Sequence, residues 1–185
     1  MKINKDGFWE ERNVTNYYFD HSLSIEILNI CSDSKSVVDF GCGNAGYAKS
    51  IKSNFPNVRV DAFDGNPFIS EITNGFAQQL NLAKSFDLSY IYDIVISLEV
   101  AEHIPKSNES TYVKNLISHC SKKIILSWAE PNQGGTGHVN EQTNDYVINL
   151  IQSHGLKHNQ EKSLKLRKAA STCPWFKNTI FLFEY

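Results

Sequence analysis

The chain has 185 residues, 41% of them hydrophobic and 21% charged, the balance of one soluble globular domain with a core of useful size. Lys+Arg number 18 against 20 Asp+Glu, a net charge of −2, so no basic excess exists for tight electrostatic capture of nucleic acid. The N-terminus lacks the apolar core of a signal peptide, and no run approaches the roughly 20 apolar residues of a membrane span. Cys31, Cys42, Cys120 and Cys173 form no CxxC pair, so a reducing, cytoplasmic location without a membrane partner is expected.

In chain order, residues 17–31 place Leu23, Ile25, Ile27, Leu28 and Ile30 near helical spacing and predict a helix in front of a sheet. Residues 36–40 are a short apolar run that ends at Gly41, the pattern of a buried strand entering a turn. A helix over 44–54, an alternating strand over 58–63 and a helix over 67–74 follow. A short third strand is predicted within 75–82, and residues 92–98 form the clearest strand. Beyond it come an amphipathic helix over 109–120, a strand over 123–129, a helix over 144–154 ended by Gly155, and a last strand over 179–185. The lysines of 157–168 alternate with Leu and Glu and read as a solvated face; His119, His154 and His158 read as surface residues. No repeat or linker divides the chain, so one domain over 1–185 is expected, with 1–33 as a helical lid or substrate region.

Strands alternating with helices argue for an α/β, doubly wound, mostly parallel sheet of Rossmann-like form. Ligands on such sheets bind at the carboxyl ends of the strands, at the switch point of strand order. The first strand runs into Asp39-Phe40-Gly41-Cys42-Gly43, followed by Gly46. Glycine lets the backbone turn tightly and approach a ligand, and the helix that follows aims its N-terminal amides there. The letters are GxGxxG, so a dinucleotide reading competes. Asp39 before the first glycine, combined with Asp64-Gly65-Asn66 about 20 residues on, favours S-adenosylmethionine (SAM). Cys42 reads as a small residue tolerated in the loop; Tyr17, Tyr18 and His21 read as packing or a lid.

The successive stretches DFGCGNAGY, DAFDGNP and YDIVISLEVAEHIP resemble the ordered motifs of class I SAM-dependent methyltransferases. The stretch after strand five and the C-terminal WFKNTIFLFEY are similar to a subgroup of small methyltransferases. This resemblance implies a seven-stranded sheet, SAM as cofactor, Gly41 and Gly43 along its methionine part and Asp64 on its ribose. It also places Asp39, Cys42, Gly65, Asn66, Leu82, Leu98, Glu99 and Tyr17 around the cofactor. Asn81 stands where such enzymes carry Asp beside adenine, and its side-chain oxygen still accepts a hydrogen bond, without charge.

Strand four ends in Glu99-Val100-Ala101-Glu102-His103, an ExxEH run at the carboxyl edge of the sheet; Glu130 ends strand five, and a Gly-rich loop carries His138. Two carboxylates and two imidazoles suit a divalent cation: oxygen ligands favour Mg²⁺, and imidazoles tolerate Mn²⁺, Fe²⁺ or Zn²⁺. The pattern is similar to ubiquinone-pathway catechol O-methyltransferases and to enzymes that 2′-O-methylate small-RNA 3′ ends. That likeness implies Glu99, Glu102, His103 and His138 as metal ligands. A metal-free alternative makes His103 or His138 a general base or a positioning group, with Glu102 and Glu130 as further catalytic candidates. Trp128 and Trp175 are candidates for an aromatic wall, with core packing as the alternative.

The resulting expectation is methyl transfer to oxygen or nitrogen of a small molecule. RNA 2′-O-methylation and a catalytically silent, SAM-binding partner subunit are the alternatives. Without an inserted cap domain, the acceptor pocket is expected to be shallow, or to be completed by a second copy or a partner subunit.

Overall fold

The computed structural model describes residues 2–14 and 17–185, so the expected N-terminal region is seen without residues 1, 15 and 16. One seven-stranded sheet runs through the molecule in the order β3-β2-β1-β4-β5-β7-β6. Its strands are β1 (Ser36–Phe40), β2 (Arg59–Asp64), β3 (Gln78–Gln79), β4 (Tyr92–Ser97), β5 (Cys120–Ser127), β6 (Lys157–His158) and β7 (Ile180–Glu184). The first five pair in parallel, and β7 lies antiparallel between β5 and β6. Strand order reverses between β1 and β4, which opens a crevice at their carboxyl ends.

Successive residues of a strand point to opposite faces, and both faces here are covered. Val38, Phe40, Val95, Phe181 and Phe183 meet Tyr112, Val113 and Leu116 of α4 (Glu109–Ser118) and Val147 and Ile151 of α5 (Asn144–Gln152). On the other face Val37, Ile94, Ile96 and Leu182 pack against α1 (His21–Cys31), α2 (Gly46–Asn54) and α6 (Gln160–Ala169). Each such fully buried aliphatic or aromatic side chain contributes about 1.5–3 kcal/mol. Short helices α3 (Ile69–Ile72) and α7 (Phe176–Thr179) complete the layers. Among the described residues no helix is long and apolar enough to cross a membrane.

The chain departs from the sequence expectations where local chemistry overrides periodicity. Helix α1 starts at His21 rather than residue 17, because Asp20 caps it by accepting from the Leu23 N–H at 3.1 Å. The other Asp20 oxygen accepts from the backbone N–H groups of Ser171, Thr172 and Cys173, so this buried carboxylate also fixes the loop before α7. Burial alone would raise the Asp20 pKa; these four N–H donors hold it well below the ordinary carboxylate range. Residues 157–168 are not merely a solvated face. They hold β6 and most of α6, which is capped by Asn159 and buries Ser163 and Leu166 while its lysines face water. His119 is not a surface residue: it is buried, its Nδ1 at 2.7 Å from the Asn115 carbonyl and its Nε2 accepting from the Leu88 N–H. The third strand is only two residues long, and the fifth starts at Cys120, which ends the preceding helix two residues early.

Candidate active site

A cavity of about 450 Å³ opens at the carboxyl ends of β1, β2 and β4, within the size range of small-molecule sites. Its first wall is the turn after β1. The N–H groups of Gly41 and Cys42 both donate to the Phe63 carbonyl, at 2.7 and 3.0 Å, which folds the turn against the end of β2. Gly41 has φ +83°, and a methyl group there would sit 2.2 Å from Val100 Cγ2. Only glycine tolerates both, and the close fit draws the exit of β4 onto the turn. Gly43 has φ +53° and packs its backbone against the Tyr17 ring.

Asp64 ends β2. Its Oδ2 accepts from the Gly43 N–H and its Oδ1 from the Asn66 N–H, each at 2.9 Å. The carboxylate is thereby oriented, with lone pairs left for hydroxyl donors in the cavity. Burial raises its pKa, opposed by those two N–H bonds. Asp39 is buried beside it, and burial together with the Asp64 charge pushes its carboxyl up to about 7. Two neighbouring buried acids favour a cationic ligand. Gly65, Leu82, Leu98, Glu99 and Cys42 also line this cavity, as does Tyr17. The Cys42 thiol is pushed well up by burial and by the charges of Asp39 and Asp64, which leaves it an inert space-filler.

Two expected cofactor residues lie elsewhere. Asn66 is fully buried outside the cavity wall; its side chain donates to the Glu11 carbonyl at 2.8 Å and accepts from the Phe68 N–H. It anchors the N-terminal segment. Asn81 is also absent from the wall: its amide donates to Asp6 Oδ2 at 2.8 Å and its oxygen accepts from the Ala83 N–H. The N-terminal segment itself forms the missing wall, through Asp6, Gly7, Phe8 and Trp9. Periodicity could not reveal this, because the segment has none. The signal available was a turn, Asn4 to Gly7, directly before two aromatics.

The second half of the site sits at the ends of β4 and β5. Glu99 has φ +56°, unusual for a residue with a side chain. Ser127 holds it there, accepting from the Glu99 N–H at 2.7 Å and donating to Glu99 Oε1 at 2.8 Å. A short 3-10 turn, Ala101–His103, follows. Ligand atoms of Glu102, His103 and His138 lie within 4.8 Å of one another. Both Glu102 oxygens are buried without a hydrogen-bond partner among the described residues. Burial and the Glu99 charge raise the Glu102 pKa well above its usual range. His103 Nδ1 lies 3.2 Å from the Gly137 carbonyl and His138 Nδ1 lies 3.0 Å from Glu141 Oε1. Both partners are acceptors, so each Nδ1 carries a hydrogen and each ring turns its Nε2 away from that partner. Burial and the nearby His138 lower the His103 pKa to about 4, so its ring is neutral near pH 7.

The loop after β5 delivers His138. Val139 and Asn140 N–H groups donate to the Glu102 carbonyl at 2.9 and 3.0 Å, and Trp128 Nε1 donates to the Asn140 carbonyl at 2.6 Å. Trp128 is thus a buried loop anchor, whereas Trp175 stands in the cavity wall with Phe176. Of the four expected metal ligands, Glu102, His103 and His138 converge, and Glu99 lines the same cavity engaged with Ser127. Glu130 lies outside the cavity wall, where its charge acts on Arg167.

The doubly wound sheet with a glycine turn at its switch point and an acid at the neighbouring strand tip has the class I methyltransferase form. The chain belongs to the methyltransferase-domain family, whose model matches residues 9–168. No curated protein sequence matches it. Among solved structures it is similar to KedS8, a sugar N-methyltransferase from a Streptoalloteichus species, with 10% identity over 100% of this chain and 98% of that one, at a TM-score of 0.70. It is also similar to SAM-bound CalS10, an amino pentose methyltransferase from Micromonospora echinaspora (12% identity, 93% and 99% covered, TM-score 0.66). A third is the methyltransferase domain of bacterial CtHen1-C (14% identity, 87% and 95% covered, TM-score 0.61). At these identities the likeness is one of fold.

Proposed function

We propose that this chain transfers the methyl group of SAM to an oxygen or nitrogen of a small-molecule acceptor. The observation that carries the reading is the meeting, in one cavity, of the Asp64-anchored glycine turn with Glu102, His103 and His138. SAM supplies a methyl already activated by its sulfonium, so the protein's work is alignment and proton removal. Asp64 accepts from ribose hydroxyls, the backbone of Gly41 to Gly43 admits the methionine part, and Asp39 favours the positive charge. The aromatic wall of Trp9, Trp175 and Phe176 receives the acceptor body. A small acceptor is supported by the net charge of −2 and by KedS8 and CalS10, whose names give sugar acceptors over nearly the same chain length.

The trio also fits a divalent cation: one buried carboxyl group and two imidazoles, each imidazole oriented from behind by an acceptor. Glu102, His103 and His138 would hold it, and it would supply Lewis acidity to an acceptor hydroxyl. In either case His103 and His138 fix the acceptor edge of the cavity.

The test is methyl transfer from SAM to a catechol, an amino sugar and an RNA oligonucleotide, with and without EDTA, repeated with Glu102→Gln and His138→Ala. Transfer to a small acceptor that EDTA and both substitutions abolish supports the metal-assisted form. Transfer that survives all three removes the metal and keeps the methyltransferase. Transfer to the oligonucleotide alone moves the reading to RNA. SAM binding with no transfer to any acceptor favours the silent partner subunit.

A further inference from the structure

We propose that the N-terminal strap, residues 2–11, is part of the cofactor site and that its Asp6 selects a purine carrying an exocyclic amine. The inference rests on SAM as the ligand. The strap is a built element. Ile3 bridges Trp9, the Asn4 N–H donates to the Phe8 carbonyl at 2.8 Å, and the Gly7 N–H donates to the Asn4 carbonyl at 2.9 Å. Asn66 ties its far end down through the Glu11 carbonyl. It also packs too closely on the site to be a passive cover. A methyl group on Gly7 would lie 2.2 Å from the His103 carbonyl oxygen, and one on Gly65 would lie 2.4 Å from Phe8.

With the ribose on Asp64 and the sulfonium directed to His103 and His138, the base must leave on the β3 side. β3 is the neighbour of β2, and the Leu80 N–H donates to the Asp64 carbonyl at 2.8 Å, so residues 81 and 82 come directly beyond the ribose anchor. There the wall offers Leu82, a flat apolar contact, and Asp6. Asn81 spends its amide on Asp6 Oδ2, which also lies 4.0 Å from Lys84 Nζ, and its oxygen on the Ala83 N–H, while no hydrogen bond reaches Asp6 Oδ1 among the described residues. An ionised carboxylate only accepts. It fits the amine of adenine and repels the carbonyl oxygen of hypoxanthine. The base-reading acid thus comes from a strap more than 70 residues away in the chain, positioned by the amide that stands at the strand tip.

Calorimetry with S-adenosylhomocysteine and S-inosylhomocysteine, on the whole chain and on Asp6→Asn, tests this, with melting curves as the check on folding. The expected result is a preference of the unaltered chain for the adenosyl ligand that falls about tenfold or more in Asp6→Asn, whose amide donates to the hypoxanthine oxygen. An equal loss for both ligands would make Asp6 a strap fastener and overturn the assignment, as would an unchanged preference. Failure of the unaltered chain to bind either ligand would instead sink the SAM reading itself.

Discussion

The two halves of the site are built on different principles. At the tips of β1 and β2, the ligand-facing groups are backbone and the carboxyl groups of Asp39 and Asp64, set by Gly41, Gly43 and the two N–H bonds to Asp64. At the tips of β4 and β5, the groups are side chains, and their meeting depends on a long loop folding back to lay Val139 and Asn140 on the Glu102 carbonyl. The first half is a property of one turn, and the second is a property of tertiary packing. Substitutions should therefore separate them: changes in the first half weaken or remove cofactor binding, and changes in the second spare it.

The largest effect is expected at the hinge between the halves. Gly41→Ala forces an L side chain into φ +83° and into Val100, so it should cost about 3 kcal/mol or more of stability and remove measurable SAM binding. Thermal unfolding with and without SAM reads both. Next comes Glu102→Gln, which should weaken Mn²⁺ binding, followed by electron paramagnetic resonance, by about 10–100-fold and leave SAM affinity within twofold. A parallel loss of both would break the division of the site.

A smaller effect concerns pH. The Asp39 carboxyl titrates near 7 in the folded chain, above the roughly 3.9 of an unfolded aspartate. Its contribution to stability is then full below about pH 4 and is lost as pH rises through about 7. Ionised Asp39 attracts a cationic ligand, so SAM affinity should rise several-fold from pH 6 to 8 while the melting temperature of the ligand-free chain falls. Asp39→Asn should flatten both trends, and the neutral thioether S-adenosylhomocysteine should show the weaker pH dependence.

The same contrast explains what could be read from the sequence. Gly41, Gly43 and Asp64 sit in short contiguous motifs, so strand, turn and acid were legible together, and the seven-stranded sheet followed from the family likeness. Glu102 and His103 are legible as a pair, and His138 joins them as a second imidazole in a Gly-rich loop, with the ligand set implied by resemblance. Glu130 is marked by its strand-end position, and the structure places it outside the cavity wall. Asn66 and Asn81 hold the chain positions that the motifs mark, and their side chains are engaged by the N-terminal strap. The strap's docking contacts are not legible in the sequence: its bonds to Asn66 and Asn81 span more than 50 positions, and nothing periodic marks it. Helix α6 was hidden by its composition, since only Ser163 and Leu166 are buried along it.

The most direct test of the account is a calorimetric SAM titration of the unaltered chain beside Asp64→Ala. The account predicts one site per chain and a loss of about 1–3 kcal/mol in the variant, the range for hydrogen bonds to a charged group. Equal affinity in the two proteins, or no binding by the unaltered chain at millimolar SAM, would contradict it.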